Sequence, residues 1–442
     1  MIEVGVSKIE ITPPPGLAMA GFAARSAPAT GTHDTLTVRA LVVGNSALVT
    51  VDVIGIEAAM SRRARKRCCL ADHAITIAAT HTHGAPNSMK ERLWSKANPE
   101  FLAALETGIV EAIDKAFISR RPANIWGGNG SDPGFAKNRR HKNGAIDPVI
   151  PILRFDGLDG NPVAILVSYA CHPVVLAADN LLLTGDYVHF VREDLEAAIP
   201  GAVAIFATGC AGDINSGHSA QSSLSVQGSA SRTYEMAAQI GSGIAKAVMK
   251  CDLSALDDWC GVAEDRIGLD FLSRETASAE ILIDQWNNFA QSNADKAFIY
   301  KIWIDWAKNR MAKNIDPLEV RCTGLYWGGS TLIGLPGEIF AQSALRLRDS
   351  IAREGISVEC PVFVIAYADD NPGYIPPSAE YQFGGYEVDE AHRFYGLGAT
   401  FAPGSAERLE QTGCLLAKNA AVAATQNQRA INNTTIKRGN NG

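Results

Sequence analysis

Three short stretches hold the residues best suited to chemistry, and each follows an apolar run that reads as a β-strand. Thr80-His81-Thr82-His83-Gly84 follows Ala74–Ala79, Ala170-Cys171-His172-Pro173 follows Ala164–Tyr169, and Pro336-Gly337-Glu338 follows Thr331–Leu335. Histidines two apart can both turn into a cleft once a strand's alternation breaks. Two imidazoles and a carboxylate are a donor set for zinc. Singly the signals are weak. An HxH pair is often merely packed, a strand-end histidine such as His172 is often a satisfied core residue, and Glu338 at a helix start could simply complement the helix dipole. Their recurrence at strand ends favours a site, because ligands from distant segments meet where strands end.

A fourth stretch, Phe206 to Asn215, leaves a strand through Gly209, Gly212, Asp213 and Asn215. Such small residues could let backbone N–H groups approach a substrate oxygen. Other chemistries lack their motifs. Gly127-Gly128-Asn129-Gly130 has no following Lys-Ser/Thr for a phosphate loop, no GxGxxG opens a helix, and no GxSxG elbow is present.

Positioning these residues falls to an α/β chain. Strands are expected at 37–43, 47–53, 74–80, 149–155, 164–169, 202–207, 319–327, 331–335 and 361–367. Helices are expected at 57–70, from Asn98 through a stripe of Phe101, Leu105, Ile109, Ile113 and Phe117, and at 187–198, 231–250, 339–354 and 405–423. Strands alternating with helices imply a mixed β-sheet core with surrounding helices. Arg274 to Lys313 reads as a helical segment (about 270–315) rich in Trp286, Phe289, Phe298, Tyr300, Trp303 and Trp306, either a packed hairpin or an apolar wall over a cleft. The chain is expected to form one catalytic domain over 1–424, with 425–442 a disordered tail.

The 442 residues carry 40 Lys plus Arg against 47 Asp plus Glu, a net charge of −7. Mild acidity disfavours nucleic acid and anionic membranes as partners. The basic run Arg62–Arg67 reads as a solvated helix face. Nine cysteines without a CxxC pair fit reduced thiols. No signal peptide or membrane span is visible, so the expectation is a cytoplasmic protein without integral membrane association. The oligomeric state is left open.

In their order, these segments resemble the neutral (non-lysosomal) ceramidase family in its catalytic domain. The resemblance runs from Gly5-Val6-Ser7-Lys8-Ile9-Glu10-Ile11-Thr12-Pro13-Pro14 through Thr32-His33-Asp34, Thr80-His81-Thr82-His83, Lys137-Asn138-Arg139-Arg140, Ala170-Cys171-His172-Pro173, Gly212-Asp213 and Pro336-Gly337-Glu338. It ends in Asn371-Pro372-Gly373-Tyr374-Ile375. The resemblance implies one zinc ion per chain held by His81, His172, Glu338 and Tyr374. It places His83 beside the metal as a proton-transfer or substrate-orienting group and Arg139 facing the substrate. Asp213, Asn215 and Tyr374 join them as candidate catalytic residues. The family's loop usually reads Gly-Asp-Val-Ser-Pro-Asn; here it is Gly212 to Gly217, with Asn215 in the serine position and Ser216 one residue later.

The expected activity is zinc-dependent hydrolysis of an amide in an N-acyl compound, the partner being a small or amphiphilic, soluble substrate rather than membrane ceramide. The alternatives are an ester, lactone or glycosidic bond at the same site, or a non-catalytic zinc-containing binding protein.

Overall fold

β-Branched and aliphatic runs bounded by turns build the first half of the chain into one large sheet. Its main strands are β1 (Ile2–Glu10), β2 (Thr37–Val43), β3 (Ser46–Val51), β4 (Ile75–Ala79), β5 (Arg121–Ser131), β6 (Val149–Gly157), β7 (Pro162–Tyr169) and β8 (Val203–Thr208), with the two residues Ser254–Ala255 pairing at the side of β5. Every residue of β2, β3 and β4 is buried, as expected of strands covered on both faces. The computed structural model describes residues 1–90, 92–219, 231–311 and 316–439, and the side chains of the last helix as far as 429.

Sheet order is β8-β7-β6-β5-β1-β2-β3-β4. The pairs at its two ends, β3–β4 and β7–β8, are parallel, and the others are antiparallel. A parallel pair needs a crossover. Helix α1 (Ala58–Arg67) supplies it between β3 and β4. Helix α2 (Pro99–Ile118) follows β4 and lies along β1 and β2. It starts where expected: the Asn98 side chain accepts the Phe101 N–H at 2.8 Å, with Pro99 in the first turn. Helix α3 (Tyr187–Ala198) carries the second crossover, and α4 (Tyr234–Met249) packs against it.

A second sheet contains β9 (Cys260–Leu269), β10 (Leu318–Trp327), β11 (Ser330–Gly334) and β12 (Val362–Ile365), in that order. Between β9 and β10 runs a hairpin of α5 (Ala279–Ser292) and α6 (Ala297–Asn309). Helix α7 (Ala341–Arg353) connects β11 to β12. The last helix, α8 (Ser405–Gly439), lies on β9 and β10. Gly261 permits that approach, since a Cβ there would come 2.1 Å from the Ala420 carbonyl oxygen.

The segment after β12 joins the two ends of the large sheet. Ala366 N–H donates to Thr208 O at 3.1 Å, and Tyr367 O accepts the Ala79 N–H at 3.1 Å. The carboxyl ends of β4, β7, β8 and β11 therefore converge, the position at which open α/β sheets place ligands. Among the described residues no helix is long and apolar enough to cross a membrane.

Several elements differ from the sequence expectation. β5, for which no strand was expected, contains the Gly127–Gly130 run, and Gly128 lies where a Cβ would meet Asp252 O at 2.7 Å, so its glycines admit a neighbouring backbone. β9 went unrecognised because Glu264, Asp265 and Arg266 interrupt its apolar alternation. Helix α7 begins at Ala341 rather than 339. Helix α8 continues past Ala423 to Gly439, over most of the expected tail. Residues 440–442, and Lys313 at the end of the expected helical segment, lie outside the described residues.

Candidate metal centre

His81, His172 and Glu338 come together in the interior, each about 1% exposed, with one donor atom from each lying within 4.8 Å of the others. His81 sits two residues beyond β4 with φ of 65°, a left-handed conformation uncommon outside glycine. Its N–H donates to Val53 O at 3.0 Å, and its ring stacks on Tyr367 at 4.1 Å and 14°. His172 follows β7 and donates its backbone N–H to Ile214 O at 3.0 Å. Glu338 is not at a helix start. It lies in a two-residue strand, Glu338–Ile339, paired in parallel with Tyr374–Ile375, so Glu338 and Tyr374 are register partners.

The hydrogen bonds behind the rings orient them. His81 Nδ1 faces the Ile54 carbonyl oxygen at 2.6 Å, and His172 Nδ1 faces the carbonyl oxygens of Ala211 and Ile214, the latter at 3.0 Å. A carbonyl only accepts, so each Nδ1 carries a proton, and each ring turns its Nε2 inward. Both Nε2 atoms face Glu338 Oε2, which lies 2.9 Å from His172 Nε2 and 3.5 Å from His81 Nε2. Burial pushes His81 down to about 4. Burial alone would push the Glu338 carboxyl up, but His81, His172 and the Tyr395 hydroxyl outweigh it and hold Glu338 near about 2. With Nε2 deprotonated, two imidazoles and a carboxylate converging in this way offer three donors to one cation. The donor set fits a metal ion, and the carbonyls behind the imidazoles are the outer partners such ligands require.

Tyr374 stands beside Glu338, and its hydroxyl oxygen accepts from Arg139 Nη2 at 2.9 Å. Burial pushes this phenol well above its ordinary pKa despite the guanidinium. Arg139 also donates to Glu387 Oε1 at 2.8 Å and Gly212 O at 2.9 Å. Its guanidinium is thus committed to protein groups, with Tyr374 as its link to the centre.

His83 is half-buried beside His81. Its Nε2 is 3.5 Å from His81 Nε2, Phe22 meets its ring edge-on at 4.8 Å, and its Nδ1 is buried without a hydrogen-bond partner among the described residues. Desolvation and the neighbouring histidines push its pKa well below the ordinary value.

Asp213 and Asn215 are brought near but are occupied. The Asp213 carboxylate accepts from Ala341 N–H at 2.8 Å and from Asn138 Nδ2 at 2.7 Å, tying three segments together. Burial pushes its pKa up to about 6. Asn215 closes its own loop: Oδ1 accepts from the N–H groups of Gly217 and His218, both at 2.9 Å, and Nδ2 donates to His218 O at 2.7 Å. Ser216 Oγ is buried without a partner among the described residues.

Two residues missed in the sequence complete the surroundings. Tyr395 donates its hydroxyl to Glu338 Oε1. Glu387 binds both Arg139 and Arg140, the latter at 2.5 Å. Both lie in the irregular turns between 378 and 397, where no periodicity or motif marks them.

The matches to known proteins agree with this architecture. Residues 2–243, more than half of the chain, match the N-terminal domain of the neutral/alkaline non-lysosomal ceramidases. Neutral ceramidase B of Dictyostelium discoideum is 27% identical over 130 residues, covering 25% of this chain and only 18% of that protein. The crystal structure of neutral ceramidase from Pseudomonas aeruginosa superposes with a TM-score of 0.72 at 18% identity, covering 94% of this chain and 74% of that one. A ceramidase complexed with C2 gives the same TM-score of 0.72 at 16% identity. At such identities the superpositions establish the fold alone, a mixed α/β architecture. With more than half of its length matched by the family's N-terminal domain, the chain belongs to the neutral/alkaline non-lysosomal ceramidase family.

Proposed function

We propose that this protein is a zinc-dependent hydrolase that cleaves the amide bond of an N-acyl compound, with residues 1–424 as its catalytic unit. Zinc would be held by His81, His172 and Glu338, with Tyr374 beside it. The supporting observation is the convergence of two Nε2 atoms, their Nδ1 atoms held by backbone carbonyls, on one carboxylate oxygen. When bound, the metal supplies Lewis acidity and lowers the pKa of an attacking water towards about 7.

The protein's own groups divide the remaining work. Arg139 occupies the Tyr374 oxygen from one side, leaving the phenolic O–H to donate to the carbonyl oxygen as negative charge builds there. His83, neutral and half-buried beside His81, is placed to take a proton from water and return it to the departing amine. Tyr395 and the backbone carbonyls hold the ligand set in one orientation.

We read the substrate as soluble or amphiphilic and smaller than long-chain ceramide. A net charge of −7 disfavours anionic bilayers, and the Asn215 carboxamide is spent on its loop where the family resemblance expects a serine hydroxyl. The test is a panel of short N-acyl compounds, long-chain ceramide, esters and glycosides in matched detergent, before and after chelation. N-acyl hydrolysis lost on chelation supports the reading. A preferred ester or glycoside would replace the bond, ceramide preferred more than tenfold would remove the size restriction, and hydrolysis unaffected by chelation would contradict the metal.

A further inference from the structure

The α5–α6 hairpin grips the rest of the protein around one cation. The guanidinium carbon of Arg393 lies 4.5 Å from the Trp303 ring centroid, 5.2 Å from Trp286 and 5.5 Å from Trp306. All three indoles belong to the hairpin. Arg393 also donates through Nη2 to Glu275, just before α5, and its side chain is 9% exposed. A planar cation among aromatic faces is held by cation–π attraction that strengthens when water is excluded. Trp306 adds a second fastening, since Nε1 donates to Leu397 O at 2.6 Å and its ring meets His392 edge-on at 5.3 Å.

The fastened residues, His392, Arg393 and Leu397, bracket Tyr395. The Tyr395 ring is buried against the backbone of Gly373, where a Cβ would come 2.9 Å from the ring. Its hydroxyl donates to Glu338 Oε1, while the other oxygen, Oε2, faces both imidazoles. Tyr395 therefore decides which carboxylate oxygen is left for a metal.

We propose that Arg393 is a positioning residue of the metal centre: clamped by Trp286, Trp303 and Trp306, it fixes the turn that keeps Tyr395 on Glu338 Oε1. The hairpin then serves the chemistry through this turn, besides any part it plays as a wall. This inference rests on the reading of His81, His172 and Glu338 as a metal site.

The test compares Arg393→Lys, Trp303→Leu, Tyr395→Phe and the Arg393→Lys/Tyr395→Phe double variant in the full chain. Lysine keeps the charge but not the planar stack. The readouts are zinc affinity by chelator competition and the visible spectrum of the cobalt-substituted protein. Loss of an outer partner typically costs about 10–100-fold in metal affinity, and Tyr395→Phe is expected in that range. Arg393→Lys and Trp303→Leu should weaken zinc in the same direction and move the cobalt bands towards those of Tyr395→Phe. The double variant should be no weaker than Tyr395→Phe alone, because Arg393 acts through Tyr395. Wild-type affinity and spectrum in both Arg393→Lys and Trp303→Leu would overturn the proposal, as would additive losses in the double variant. Wild-type protein that binds neither zinc nor cobalt would overturn the metal-site reading itself, and this inference with it.

Discussion

Glu338 and Tyr374 reach the centre by backbone pairing, as register partners of a short parallel bridge. Partners in register send their side chains from the same face, so carboxylate and phenol arrive together. Gly337, preceding Glu338, has φ of 77° and lies where a Cβ would come 2.7 Å from the Gly373 carbonyl oxygen. Gly337→Ala should therefore cost more than about 1 kcal/mol in urea unfolding and weaken zinc binding. Unchanged stability and affinity would mean that the bridge tolerates separation.

His81 and His83 should differ in kind although one residue separates them. His81→Ala opens the ligand set, so metal and activity should be lost together. His83→Ala should keep the metal and lower kcat by about 10²–10⁴. Metal analysis alongside kinetics separates the two, and equal metal loss in both would make His83 a ligand.

Arg139 should act through Tyr374. Lysine cannot bond Glu387, Gly212 and Tyr374 from one fork. Arg139→Lys should lower kcat about tenfold or more with little change in KM, as Tyr374→Phe should. A raised KM with intact kcat would instead support the expectation that Arg139 meets the substrate.

Behind β4, Asp52 carries a buried charge that steadies the His81 strand. It accepts from Arg192 at 2.8 and 2.9 Å and from the Thr80 hydroxyl at 3.2 Å. Burial pushes its carboxyl up, but Arg192 and Arg39 outweigh this and hold it below its ordinary value. A depressed native pKa gives stability that is present above the unfolded value, near about 4, and is lost as pH falls through the native one. Asp52→Asn should cost about 3–5 kcal/mol at neutral pH because Arg192 stays buried without its counter-charge. The variant should also lose less stability than wild type on acidification. Denaturation at pH 7 and in steps downward from about pH 4 checks both.

The sequence disclosed what obeys a period or ends a strand. The buried face of α2 at Phe101, Leu105, Ile109 and Ile113 is where the spacing puts it, with Phe117 only half-buried. His81, His172 and Glu338 were visible because apolar strands stop just before them. Glycines concealed β5, since a run that admits a neighbouring backbone looks like a loop. Tyr395 and Glu387 were hidden for a different reason: Glu387 is placed by Arg139 and Arg140 and Tyr395 meets Glu338, contacts between segments far apart in the chain. The commitment of Arg139 to Tyr374 was likewise invisible, because spacing cannot tell an arginine facing substrate from one facing a neighbouring phenol.

Zinc titration of the chelator-stripped full chain, following hydrolysis of a short N-acyl substrate, addresses the central claim most directly. Activity should be absent without metal and rise linearly to a plateau at one equivalent per chain. Hydrolysis undiminished in the stripped protein, or a plateau at no defined stoichiometry, would contradict it.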